Sequence, residues 1–208
     1  MSVQSKQPAR RRRVVRAFAP AVGLLAAGLL VWQGSYAAFN ATTQNTTNTW
    51  GSGTMTLTNN GGGATYSGST SATFGGTNLK PGDSNGTGTC LTVKSTGSIA
   101  GAMHLYLSSL ADSSPSLAGK LNLTITAGVP ASDVQSNCTG FPTTGVSTVY
   151  SGTLAAMPAT YAASAGTNVA VASGTVLEAY KLVWTFDSTA DNTYQGKTAT
   201  AAFTWELQ

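Results

Sequence analysis

Beyond residue 53 the chain alternates apolar and polar residues in short runs. In 121–126 the apolar Leu121, Leu123 and Ile125 are separated by Asn122, Thr124 and Thr126. In 176–186 one side carries Val176, Tyr180, Leu182, Trp184 and Phe186, interrupted only by Glu178. In 198–207 Ala199, Ala201, Phe203, Trp205 and Leu207 share a side, opposite Thr198, Thr200, Thr204 and Glu206. A period of two means a strand with one packed and one wet face. Further strands are expected at 54–58, 89–95, 102–107, 146–154 and 168–172, with Gly, Asn and Ser clusters between them. About eight or nine short strands rich in Thr and Val predict an all-β fold, an antiparallel β-sandwich of jelly-roll type. The one expected helix is short and lies within 108–120, with Asp112 or Ser113 near its start and Gly119 at its end. The stretch 40–73 is low in complexity, dominated by Thr, Asn and Gly.

The first 38 residues follow a different pattern. A basic cluster, Arg10 to Arg13 with Arg16, precedes an apolar run over 17–32 and then the small-residue exit Gly34-Ser35-Tyr36-Ala37-Ala38. That order is expected of a cleavable signal peptide, and the run is short of the roughly 20 residues that span a bilayer. An uncleaved anchor is the alternative. Cleavage is expected next to Ala37 or Ala38, so that the mature chain begins at Ala38 or Phe39. Either the general secretory route or a twin-arginine route fits the basic cluster. The expected organisation is a signal peptide over 1–38, an N-terminal segment over 39–53 and a sandwich domain over 54–208.

Export changes the reading of the two cysteines, Cys90 and Cys138. An oxidising compartment and an even count favour a disulfide between them over two separate thiols. Closing a loop of that length stabilises a fold by roughly 4 kcal/mol in the chain-entropy model.

Charge narrows the function classes. The formal charge is +4, but six of the eleven basic residues lie in the leader. From residue 39 onward five lysines face seven acids, a balance of −2. A nucleic-acid partner, which requires a clustered basic face, is not expected. Chemistry-bearing motifs are few. His104 is the one histidine, so a zinc site of the His-Glu-x-x-His type lacks its second ligand. A Ser-His-Asp arrangement would need His104 as base, and no Gly-x-Ser-x-Gly elbow accompanies it. Asp187 and Asp191 share an oxygen-rich loop, expected to be a solvated turn because calcium needs six to eight ligands. No cofactor site is expected. Asn-x-Ser/Thr triplets begin at Asn40, Asn45, Asn85, Asn122 and Asn137 and are expected on polar surface.

Several segments, in order, resemble one family. Gly34-Ser35-Tyr36-Ala37-Ala38-Phe39-Asn40 is similar to the leader exit and mature start of the TasA/camelysin family of Gram-positive bacteria. Gly51-Ser52-Gly53-Thr54-Met55-Thr56-Leu57 resembles that family's small-residue turn and first strand. Leu79-Lys80-Pro81-Gly82-Asp83 resembles its LKPGD element, and Asn192-Thr193-Tyr194-Gln195-Gly196 its N-x-YQG motif. The two cysteines and the region over 111–172 depart from the pattern.

The resemblance implies a jelly-roll domain exported to the cell surface or matrix and cleaved by a SipW-type signal peptidase. It also implies head-to-tail fibres of the chain with itself, with or without an accessory fibre or anchor subunit. The donor strand in such a fibre is expected from Phe39, Asn40, Ala41, Thr42 and Thr43 onward to about residue 49. Camelysin-like members have been classed as metallopeptidases; this chain offers no ligand set for one, and an enzyme is not expected. A third reading is a monomeric wall or carbohydrate-binding module with Trp50, Trp184 or Trp205 as stacking platforms. The strand period instead places Trp184 and Trp205 on packed faces.

Overall fold

Eight strands form in the computed structural model, which describes residues 52–71 and 73–208. They are β1 (Met55–Asn59), β2 (Thr89–Gly97), β3 (Gly101–Asp112), β4 (Leu121–Gly128), β5 (Ser147–Thr153), β6 (Val169–Val171), β7 (Gly174–Phe186) and β8 (Ala199–Leu207). Every paired neighbour is antiparallel. The larger sheet runs β1-β2-β7-β4-β5 and the smaller β6-β3-β8. The two pack face to face as an all-β sandwich, and each run with alternating polarity has become a strand.

The core lies between the sheets. Leu91 and Val93 of β2, Ile125 of β4, and Tyr180 and Leu182 of β7 face Met103, Leu105 and Leu107 of β3, all at most 3% exposed. Burying each such side chain stabilises the fold by about 2 kcal/mol before chain entropy is subtracted. Glu178 points into this face as the period requires and is 5% exposed. Trp184 and Trp205 pack against the same core. Both are half-buried, and Trp50 lies outside the described residues.

The strand order carries more information than the strand count. Two Greek keys wound into a jelly roll give sheets ordered 2-7-4-5 and 1-8-3-6. Here the runs β2-β7-β4-β5 and β8-β3-β6 are both present. The exception is β1, which pairs with β2 from Met55↔Gly97 to Asn59↔Val93 instead of lying beside β8.

The expected helix over 108–120 does not form. β3 continues to Asp112, pairing Ser109–Asp112 with Ala202–Ala199 across a bulge, and only a 3-10 turn, Ala118–Lys120, follows. Ladder bonds to β8 outcompete a helix whose sequence holds several serines and Pro115. Asp112 still binds the start of the turn from a distance of six residues, accepting from Ala118 N at 3.1 Å, and accepts from Ser116 Oγ at 2.5 Å.

Two loop systems complete the domain. The Cys90–Cys138 disulfide ties β2 to the β4–β5 connection. Beside it Asn60, 4% exposed, makes four hydrogen bonds: its Oδ1 accepts from Gly62 N and Thr92 N, and its Nδ2 donates to Gly63 O and Val134 O. On the other side, Lys80-Pro81-Gly82-Asp83 forms a tight turn. Proline presets its second position and Gly82 takes φ +92, with Asp83 N bonded to Lys80 O. Leu79 and Tyr194, from the two motif-bearing loops, pack into one small cluster with Leu117, Phe186 and Ala190.

Candidate functional site

β8 is a terminal strand of its sheet, bonded to β3 on one side only. Ala102 and Gln208 exchange both main-chain bonds. In an antiparallel ladder bonded and non-bonded pairs alternate. His104↔Glu206 and Tyr106↔Thr204 are thus bonded pairs, and Met103↔Leu207, Leu105↔Trp205 and Leu107↔Phe203 are not. Beyond the bulge, Ser113 N donates to Thr198 O and the alternation resumes. The N–H and C=O groups of Ala199, Ala201, Phe203, Trp205 and Leu207 therefore point away from β3. Among the described residues none of them has a main-chain partner.

The same five residues carry the inward-facing side chains, and each is only half-buried. Their neighbours on β3, Met103, Leu105 and Leu107, are 1%, 0% and 3% exposed. A groove of about 440 Å³ runs between β8 and β1, lined on its apolar side by Leu57, Phe74, Leu91, Val93, Phe203 and Trp205. Phe74 meets Phe203 edge-on with ring centroids 5.6 Å apart. At the inner wall Trp205 packs edge-on against Tyr180 at 5.4 Å. Trp205 Nε1 and the Tyr180 hydroxyl are both buried at this wall. The groove is lined by polar as well as apolar side chains, and unused main-chain groups along such an edge are the kind of feature to which a further strand can add. Of the other edges, β6 is three residues long, β5 has Ser147, Thr148 and Ser151 exposed, and β1 is five residues long and bridged at Asn59 to Ser67.

Ala37, Ala38, Phe39, Asn40, Ala41, Thr42 and Thr43, singled out in the sequence, fall outside the described residues. Cys90 and Cys138 are joined as expected.

The remaining candidates resolve into structural roles. His104, 8% exposed, lies on the outer face of the smaller sheet under the ring of Tyr161, stacked at 4.0 Å. Its Nδ1 is 3.0 Å from Ser164 Oγ and 3.1 Å from Tyr161 O, and Ser164 Oγ itself donates to Tyr161 O at 2.6 Å. Ser164 is 0% exposed. The pair fastens the segment Ala162–Thr167 to β3. Beside it Tyr106 donates to Glu206 at 2.6 Å, and this bond, with a second from Gln208, holds the Glu206 carboxyl below its ordinary range.

Asp187 accepts from Thr189 N and Oγ1 and pairs with Lys120 at 3.1 Å, which lowers its pKa to about 2. Asp191 caps the 3-10 turn Asn192–Tyr194 through Thr193. Asp191 is thus used within its own turn and Asp187 within its turn and in the pair with Lys120, and no group of three or more His, Cys, Asp or Glu able to hold a metal occurs among the described residues. Asn122 and Asn137 are exposed, as their triplets suggest. Asn85 is not simply surface. It donates to Leu182 O and accepts from Trp184 N, binding β7 where its pairing with β2 ends. No helix among the described residues is long and apolar enough to cross a membrane.

Comparison with known proteins adds no assignment: no protein-family model matches the chain, and no curated protein matches it.

Proposed function

We propose that this chain is a secreted structural protein that assembles head to tail into extracellular filaments. Residues 39–49 of one copy add as a strand to the free edge of β8 in the next. The observation that carries this reading is the strand order: β1 pairs with β2, so it does not fill the place beside β8 that the first strand of a jelly roll fills. The resemblance to the TasA/camelysin family supports the same reading.

The chemistry of the segment suits the site. Residues 39–49 hold no charge and no proline, so nothing in them opposes strand pairing. They carry one large apolar residue, Phe39, ahead of Thr, Asn and Gln. Five edge residues offer partners for a short strand, each bond contributing about 1 kcal/mol net. Phe39 in the groove adds roughly 2 kcal/mol. The donor lies in one copy and the acceptor in the next, so the contact is heterologous and propagates. Removal of the leader would free Phe39 and act as the assembly switch.

The test is electron microscopy with size-exclusion chromatography on the mature chain and on a form lacking residues 39–49. Filaments from the mature chain alone support the proposal. Identical filaments from the shortened chain, or none from either, refute it.

A further inference from the structure

The groove along β8 already holds an aromatic ring. Phe74 is part of its wall and packs edge-on against Phe203, the middle one of the five edge-facing residues. What holds Phe74 there is thin. Thr73 Oγ1 donates to Gly61 O at 3.2 Å, and Thr70 Oγ1 donates to Asn59 Oδ1 at 2.7 Å. Among the described residues, 74–79 make no hydrogen bond. The chain leaves Phe74 through Gly75, at φ +153, a backbone state open in practice only to glycine. Gly76 follows, where a Cβ would come within 2.9 Å of the Trp184 ring. Phe74 is therefore pinned by its ring, next to glycines that let the backbone turn, and without ladder bonds to β8.

We propose that Phe74 is a resident plug: its ring occupies the place on Phe203 that the Phe39 ring of an incoming donor must take. This inference rests on the reading of β8 as the acceptor edge. The plug gives the free subunit an apolar cover for its open groove, which limits nonspecific pairing at an exposed edge. A donor displaces it because the donor brings main-chain bonds that Phe74 does not have. Where only a fraction of molecules has the ring displaced, the apparent dissociation constant for the donor rises by the inverse of that fraction. An edge-on aromatic pair is strong enough to hold that fraction near one tenth.

The test is binding of a fluorescently labelled peptide of residues 39–49 to the mature full chain, kept below its assembly concentration. Four proteins are compared: the native chain, Phe74→Ala, Phe74→Leu and Ala201→Pro. In the last, proline removes an N–H that faces the free edge and leaves the β3 ladder intact. Phe74→Ala should bind the peptide about tenfold more tightly, equivalent to about 1.4 kcal/mol, with Phe74→Leu in between. Ala201→Pro should not bind. Unchanged or weaker binding by both Phe74 variants, with Ala201→Pro still inactive, overturns the plug and leaves the acceptor edge standing. Failure of every protein to bind, or native-like binding by Ala201→Pro, overturns the acceptor edge and the plug with it. Thermal melts of all four establish that they fold, and Phe74→Leu carries the test should Phe74→Ala not.

Discussion

Replacing Glu178 by Gln isolates a charge buried in the sandwich. Glu178 sits among Val93, Val176 and Tyr180 on the inner face of the larger sheet, 5% exposed. It makes no ion pair or hydrogen bond among the described residues. Burial alone pushes its pKa from 4.5 to about 7. Its charge also helps raise the neighbouring Tyr180 hydroxyl, on which burial acts first. Lys94, one residue beyond its cross-strand partner Val93, is on the opposite face. The native state thus binds a proton that the unfolded chain releases between pH 4.5 and 7. Native binding exceeds unfolded binding in that window, so stability falls as pH rises. Each tenfold difference in proton affinity between the two states is worth about 1.4 kcal/mol, so from pH 5 to pH 8 this one group loses about 2.5 kcal/mol. Urea unfolding of native protein and Glu178→Gln at both pH values measures it. The variant should gain on the native chain by about 2.5 kcal/mol between pH 5 and 8. Parallel pH profiles for the two proteins would refute the reasoning. On the acid side Asp187, Asp191 and Glu206 all have lowered pKa values. Their stabilisation is present above the ordinary carboxylate range and is lost as pH falls through the lowered values.

Asn60→Ala should cost about 3 kcal/mol in urea unfolding, because the Gly62 and Thr92 amides and the Val134 carbonyl lose partners at a buried site; a change below about 0.5 kcal/mol, the scale of ordinary surface substitutions, would show the network to be dispensable. Reduction of Cys90–Cys138 opens a link spanning 48 residues of sequence and should lower stability by about 4 kcal/mol without removing the sheets. Urea unfolding with and without reductant, alongside far-ultraviolet circular dichroism, checks both halves of that statement. N-terminal sequencing of secreted protein should begin at Ala38 or Phe39, whereas a start at Met1 would mean a retained leader.

All eight strands fall on segments expected from the sequence, most plainly β4, β7 and β8, whose apolar residues recur with a period of two. Even β6, only three residues long, is flagged by Val169 and Val171. The region 108–120 misleads because Asp112 does accept from the first amide of a helical element, Ala118 N, but that element is a single 3-10 turn. Pairing of Ser109–Asp112 with β8 is a tertiary choice that local propensity does not encode. Asn60 escapes sequence reasoning for a related cause. An asparagine before Gly61-Gly62-Gly63 looks like any loop residue, and its value comes from Thr92 and Val134, distant in sequence. The acceptor edge is only half legible. The alternation marks Phe203, Trp205 and Leu207 as packed residues, but it gives no sign that β1 pairs with β2 and leaves them half-covered. Phe74 lies in a stretch without periodicity, and its contact with Phe203 is visible only in three dimensions.

Filament assembly as proposed depends on the free edge of β8, and amide exchange resolved by residue tests that edge most directly. In the unassembled mature chain, Ala201, Phe203, Trp205 and Leu207 amides face away from β3 and should exchange quickly. Ala202, Thr204 and Glu206, already bonded to β3, should be protected. On assembly the odd-numbered amides should become protected while the even-numbered ones change little. Filaments in which Ala201, Phe203, Trp205 and Leu207 exchange as fast as in the free subunit would contradict strand addition at this edge.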